Sequence, residues 1–262
     1  MHPMLNIGIR AAYAAGDYIL KYVDRVQDIP VNSKGRNDFV SEVDKQAEAI
    51  IIDTIHNAYP RHSIIAEESG SQLFDEEYQW VIDPLDGTTN FLHGFPQFAV
   101  SIALKFRGKL DQAVVYDPLR QELFTAGNGT GAYLNKKRIR VSKQNSLNGA
   151  LLGTGFPFRN LERLEIFIKS FRAFFPQTAG IRRAGAASLD LAYVACGRLD
   201  GFWEFGLNEW DIAAGKLLIT EAGGYVGDIV IDGMEVEPGS IIAANTRLFE
   251  ILVEKIKSIS VE

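Results

Sequence analysis

The 262-residue chain has no apolar run long enough to span a bilayer, which excludes a helical membrane protein. Its start, Met1-His2-Pro3-Met4, lacks the basic and apolar regions of a signal peptide, so a cytoplasmic location is the default expectation. The single cysteine, Cys196, cannot form an internal disulfide; set among apolar residues before Gly197, it reads as a packed thiol. There is no G-x-S-x-G for a serine nucleophile and no D-x-D-x-D-G calcium loop. No repeat, low-complexity segment or obvious linker interrupts the chain, and its formal charge of −6 argues against general nucleic-acid binding. The most informative shortage is local. From His62 to Leu104 there is no Lys or Arg, while Glu67, Glu68, Asp75, Glu76, Glu77, Asp83 and Asp86 are all acidic.

That stretch contains Trp80-Val-Ile-Asp83-Pro-Leu-Asp86-Gly-Thr-Thr-Asn90. Trp80 to Ile82 read as a buried strand that stops at Asp83, because Pro84 fixes its own φ and pushes the preceding residue to extended geometry. Asp86-Gly87 is a turn signal, and Thr88, Thr89 and Asn90 read as caps of a short helix ended by Gly94. Glu67 follows a second short apolar segment, Ile64-Ile65-Ala66. Carboxylates at buried strand ends must be protonated, paired or bound to a cation. All-oxygen ligands favour a hard ion such as Mg²⁺ over zinc. The plain reading of D-P-L-D-G is an ordinary turn, and Asp75 to Glu77 read as a solvated loop.

Elsewhere, Leu5 to Tyr22 has helical spacing. Ser41 to Asp44 forms a loose capping box opening a helix to about Ala58, with Lys34, Asn37 and Asp38 just before it; Asp44 is either a cap or a partner of the site. Phe98 to Phe106, Leu110 to Tyr116 and Gln121 to Ala126 read as an antiparallel meander. Gly127-x-Gly129-x-x-Ala132 fits a dinucleotide fingerprint but lacks the helix that motif needs. Lys136, Lys137, Arg138, Arg140 and Lys143 read as a solvated basic hairpin. The second half alternates: strands at 150–153, 201–204 and 240–244, helices at 161–174, 187–196, 210–222 and 247–259. Layered α and β structure follows. Asp211 opens one of these helices, where an acid also complements the dipole.

Together, Glu67-Glu68-Ser69, Trp80 to Asn90 and Trp210-Asp211-Ile-Ala-Ala-Gly215 resemble the three metal-site signatures of the inositol monophosphatase family, nearly end to end. Met1 to Ile7, the 34–40 segment and Asp190-Leu-Ala-Tyr-Val194 look closest to its bacterial SuhB branch. The resemblance implies an α/β (α+β) fold, a layered αβαβα sandwich in one domain over 1–262. It also implies Mg²⁺ dependence, hydrolysis of myo-inositol 1-phosphate and related monoesters, Li⁺ sensitivity and a homodimer. Carried over by position, Glu67, Asp83 and the Leu85 carbonyl hold a first metal, and Asp83, Asp86 and Asp211 a second. Asp44 and the Thr88 hydroxyl orient water, with Glu67 counted beside them as catalytic. Gly87 and Thr88 offer N–H groups to the phosphate, and Leu85, Asp86 and Asp211 count with them as substrate contacts. Glu204 and Gly185-Ala186-Ala187 face the alcohol. Ala186 departs from the family, whose members often carry Thr or Ser there.

The chemistry has its own logic. An anionic ester repels hydroxide, and two cations roughly 4 Å apart both activate water and stabilise the leaving oxygen. The rival is a haloacid-dehalogenase-type phosphatase, whose D-x-D-G-T is one residue shorter than D-P-L-D-G-T here. A second, non-enzymatic role also follows from the branch resemblance: binding transcription elongation or antitermination factors or RNA polymerase, through the basic hairpin or the Arg182-Arg183 pair.

Overall fold

The computed structural model describes residues 2–29, 31–35, 38–74, 77–157, 160–231 and 234–259. Helix α1 (Pro3–Leu20) starts with proline in its first turn, where the missing N–H costs nothing. Helix α2 (Glu42–Ala58) is capped by Ser41, which accepts from the Val43 and Asp44 N–H groups while Asp44 accepts from the Ser41 N–H. The expected capping box is therefore present. Before it, β1 (Val31–Gly35) and β2 (Asp38–Ser41) form a hairpin carrying Lys34 and Asp38; Asn37 lies outside the described residues.

Strands β3 (Ser63–Ala66), β4 (Gly70–Gln72), β5 (Tyr78–Asp86), β6 (Ala99–Phe106), β7 (Lys109–Asp117), β8 (Glu122–Gly127), β9 (Gly131–Leu134) and β10 (Lys137–Arg138) form one sheet in the order β10-β9-β8-β7-β6-β5-β3-β4. The meander is present, and the 127–132 glycines close the β8–β9 hairpin rather than open a helix. Helix α3 (Thr88–Leu92) follows β5. The second sheet joins β11 (Leu151–Thr154), β12 (Gly180–Arg182), β13 (Gly201–Glu204), β14 (Gly224–Asp228) and, after a small β15 (Val230–Ile231) and β16 (Met234–Glu235) hairpin, β17 (Ile241–Asn245). Its order is β12-β11-β13-β17-β14. Helices α4 (Leu164–Phe174), α5 (Ala187–Ala195), α6 (Glu209–Glu221) and α7 (Thr246–Lys257) complete the fold.

Strand alternation sets the layers, since successive side chains point to opposite faces. On the first sheet Trp80, Ile82, Val100, Ile102, Leu104 and Val114 pack against α1 and α2. Val81, Ala99, Ala103, Ala113 and Val115 turn the other way, towards α5 and α6. On the second sheet Phe202, Ile241 and Ala243 face the same two helices, and Trp203, Ile242 and Ala244 face α4 and α7. The result is an αβαβα sandwich with α5 and α6 as the middle layer. Small residues on both sides of that layer let it fit: a Cβ on Gly215 of α6 would stand 2.5 Å from the Leu191 side chain of α5. Among the described residues no helix is long and apolar enough to cross a membrane.

Candidate active site

The acids are brought together by two neighbouring strands near one edge of the first sheet and by the N-terminal ends of the middle helices. β3 and β5 run parallel with Ala66 opposite Ile82, and the Glu67 N–H donates to the Ile82 carbonyl at 3.2 Å. Register alone thus sets Glu67 beside Asp83. The strand does not stop at Asp83 as expected: pairing with β6 resumes at Asp86 opposite Ala99, and the irregularity between them takes up Pro84. A bulge is where a strand tolerates proline, and it re-aims neighbouring side chains. The capping expectation for Thr88 to Asn90 is also corrected, because Gly87 is the N-cap of α3. Its φ is +93°, and a Cβ there would meet the Gln97 carbonyl at 2.8 Å, so glycine is required. Asn90 instead donates to the Gln97 and Ala184 carbonyls, tying this loop to the segment before α5.

One cavity is lined by Glu67, Asp83, Leu85, Asp86, Gly87, Thr88, Gly185, Ala186, Ala187, Glu204 and Asp211. The sequence-derived residues other than Asp44 therefore share it, and Asp44 reaches it through Thr88, whose Oγ1 donates to Asp44 Oδ1 at 2.8 Å. Thr88 Oγ1 also lies 3.0 Å from the Leu85 carbonyl. Asp44 serves the helix cap and the site at once, with Oδ2 taken by Ser41 and Oδ1 by Thr88.

Three of these acids have one oxygen anchored by the backbone. Asp83 Oδ1 accepts from the Leu85 N–H at 3.0 Å, Asp211 Oδ2 from the Asn208 N–H at 2.7 Å, and Asp86 Oδ2 from both the Ser188 N–H and hydroxyl at 2.7 and 2.5 Å. Burial is the largest influence on the ionisation of Asp83 and Asp86. It raises Asp83 well above the usual carboxylate range, assisted by repulsion from Glu67, Asp86 and Asp211. Asp86 is pushed up to about 6, against the opposing Ser188 bonds. Burial likewise raises Asp44, Asp190 and Glu204.

Several lining residues were not expected in the site from the sequence. Asp190 comes from the first turn of α5, Thr154 from the end of β11, and Gly155, Phe156 and Arg183 from the segments that follow β11 and β12. The Glu204 carboxyl lies where a Cβ on residue 155 would stand, so Gly155 makes its room. Arg183 sits over the Phe156 ring at 5.0 Å and its charge eases the ionisation of Asp190 and Glu204. Among the described residues it is the cation in the lining of this acidic cavity.

The donor set fits a hard divalent cation by its chemistry: oxygens alone, of one charge sign, in a buried place where mutual repulsion opposes ionisation. Among the described residues no three such side chains stand together as a finished ion cage.

The family model for the inositol monophosphatase family matches residues 1–260. The Nus factor SuhB of Pseudomonas aeruginosa is 56% identical over 262 residues, covering 98% of this chain and 97% of that protein. The crystal structure of the extragenic suppressor protein suhB from Bartonella henselae superposes with a TM-score of 0.94 at 42% identity, covering 98% and 99% of the two chains. The inositol monophosphatase from Anabaena gives 0.86 at 39% identity, covering 98% and 96%. Likeness on this scale extends far beyond the cavity to every layer of the sandwich, and by it the chain belongs to the inositol monophosphatase family.

Proposed function

We propose that this protein hydrolyses phosphate monoesters of polyols, with myo-inositol 1-phosphate and related sugar monophosphates as substrates and Mg²⁺ as the cation. The observation that carries the reading is the convergence of Glu67, Asp83, Asp86 and Asp211, from three distant segments, on one cavity. Family membership supports phosphatase activity of a metal-dependent kind. The choice of Mg²⁺ and of the inositol ester is our own.

In this reading Glu67, Asp83 and the Leu85 carbonyl hold one cation, and Asp83, Asp86 and Asp211 a second. When bound, divalent cations supply the positive charge that screens the ester, acidifies water and steadies the leaving oxygen. The chain does the positioning. With its proton committed to Asp44 or the Leu85 carbonyl, the Thr88 hydroxyl is left to accept a hydrogen from water and so to aim it. Gly87 and Thr88 direct N–H groups to the phosphate. Gly185, Ala186, Ala187 and Glu204 face the alcohol, where Ala186 supplies no hydroxyl. Phosphate release from a small panel of monoesters, with Mg²⁺ titrated and Li⁺ added, tests the reading. Undiminished turnover in excess chelator would sink it, and phosphate trapped on Asp83 by acid quenching would favour the haloacid-dehalogenase-type alternative.

A second role is supported by the relatives named as Nus factors: docking to a transcription elongation or antitermination factor or to RNA polymerase. The exposed basic strip, Lys136, Lys137, Arg138, Arg140 and Lys143, is the surface for it. Arg182-Arg183 cannot serve as a clean second handle, because Arg183 lines the cavity. Charge reversal at Lys136 and Lys137 is expected to remove binding in a pull-down and spare hydrolysis. Retained binding in that variant would count against the strip.

A further inference from the structure

Glu48 lies one helical turn after Asp44 on α2 and is buried, 2% exposed, yet it does not line the cavity. Its carboxylate is fully committed elsewhere. Oε2 accepts from the Glu68 N–H at 2.8 Å and Oε1 from the Ser69 N–H at 2.8 Å. These two residues, with Glu67, form the three-residue turn that joins β3 to β4, where Ala66 pairs with Gly70 and Gly70 takes a φ of +77°. The N–H groups at the apex of such a turn have no ladder partner, so whatever accepts from them fixes how the turn is tilted.

We propose that Glu48 is a positioning residue for Glu67: its two-oxygen grip on the turn sets where the Glu67 carboxylate enters the cavity. Three observations carry this. The grip falls on the two residues immediately after Glu67, while the Glu67 N–H is held on the other side by Ile82. A carboxylate offers two charged acceptors to two consecutive donors, a match that an amide cannot make because one of its ends is itself a donor. Finally, Asp44 and Glu48 stand four residues apart and so on one face of α2. That face therefore supports Thr88 through Asp44 and the Glu67 turn through Glu48, from the outer helical layer. One helix references two parts of the site that are distant in sequence.

The inference rests on the metal-dependent reading above, and its test separates the two. Mg²⁺ binding by calorimetry, in the absence of substrate, is measured for the parent, E48Q, E48A, E67Q and the E48Q/E67Q double variant. E48Q is expected to weaken Mg²⁺ binding roughly 10- to 100-fold, the usual effect of removing a partner that orients a ligand, with E48A at least as weak. In the E67Q background E48Q should add little, because residues acting through one another are not additive. Amide exchange at Glu68 and Ser69 in the metal-free protein should accelerate in E48Q. A parent that binds no Mg²⁺ would defeat the metal reading and this inference with it. Parent-like Mg²⁺ affinity in both Glu48 variants, with only a lowered melting temperature, would overturn the inference alone, as would full additivity with E67Q.

Discussion

Thr88 Oγ1 donates to Asp44 Oδ1 at 2.8 Å across 44 residues of sequence, joining the first turn of α2 to the start of α3. The bond gives the hydroxyl a fixed direction in a cavity that several acids line. Replacing Thr88 with Val is expected to lower the rate of phosphate release by about 10²- to 10⁴-fold, the range for loss of a group that manages a proton. T88S keeps the hydroxyl and should stay within tenfold of the parent. Steady-state assays at saturating Mg²⁺ read the difference, and a T88V enzyme at the parental rate would remove Thr88 from the mechanism.

Asp83 makes an opposite kind of prediction for the metal-free protein. Its carboxyl is raised by burial and by Glu67, Asp86 and Asp211, so the fold gains from it only while it is protonated. That gain is present below the ordinary carboxylate value of about 3.9 and is lost as pH rises through the raised folded value. Asn keeps the oxygen that accepts from Leu85 and removes the charge. Without metal at pH 7, D83N should melt no lower than the parent. Adding Mg²⁺ at about 100 times its dissociation constant should stabilise the parent by about 2.7 kcal/mol and leave D83N unmoved. Equal thermal shifts in the two proteins would exclude Asp83 as a ligand.

Gly215 closes the third signature, yet its role is packing. The Leu191 side chain occupies the space a Cβ would need, so α5 and α6 meet closely here. G215A is expected to cost about 1–3 kcal/mol by overpacking, measured by urea denaturation. Activity per folded molecule should fall as well, since this contact sets Asp211 on α6 relative to Ser188 and Asp86. An unchanged midpoint would mean that the middle layer is looser than its spacing indicates.

The pH dependence of stability has a contribution far from the cavity. Arg198 holds both Glu122 carboxylate oxygens and stacks on Tyr193, and its hydrogen bonds lower the Glu122 ionisation below the usual range. A depressed folded value means stability present above the unfolded value, about 4.3, and lost as pH falls through the lower folded one. The melting temperature of R198Q should therefore trail the parent at pH 7 and approach it as pH drops below 4. A gap that stays constant with pH would assign the effect to packing on Tyr193.

The helices were legible because each carries its own signals: the Ser41–Asp44 capping box is local, and α2 begins and ends where those residues place it. The meander was legible for the same reason. Strand β12 was not, since Gly180 to Arg182 has no alternation and exists only because β11 offers a parallel edge. The run through Asp83 to Asp86 was misread as a strand end because Pro84 ordinarily breaks a ladder, and the bulge that admits it depends on β6. Among site residues, the acids announced themselves by lying beside apolar strands without a nearby base. Arg183, Asp190 and Glu48 did not, because their surroundings come from other parts of the chain.

The sequence by itself determined which residue types the chain owns and the local elements that carry them, because capping, alternation and turn chemistry act over a few residues. It also held the three acidic signatures, and with them the family. Only the tertiary structure decided that Glu67 stands beside Asp83, that Ser188 steadies Asp86, and that the exposed Arg183 lines the cavity. Those relations depend on strand register and helix approach between segments as far as 102 residues apart, where no local propensity acts.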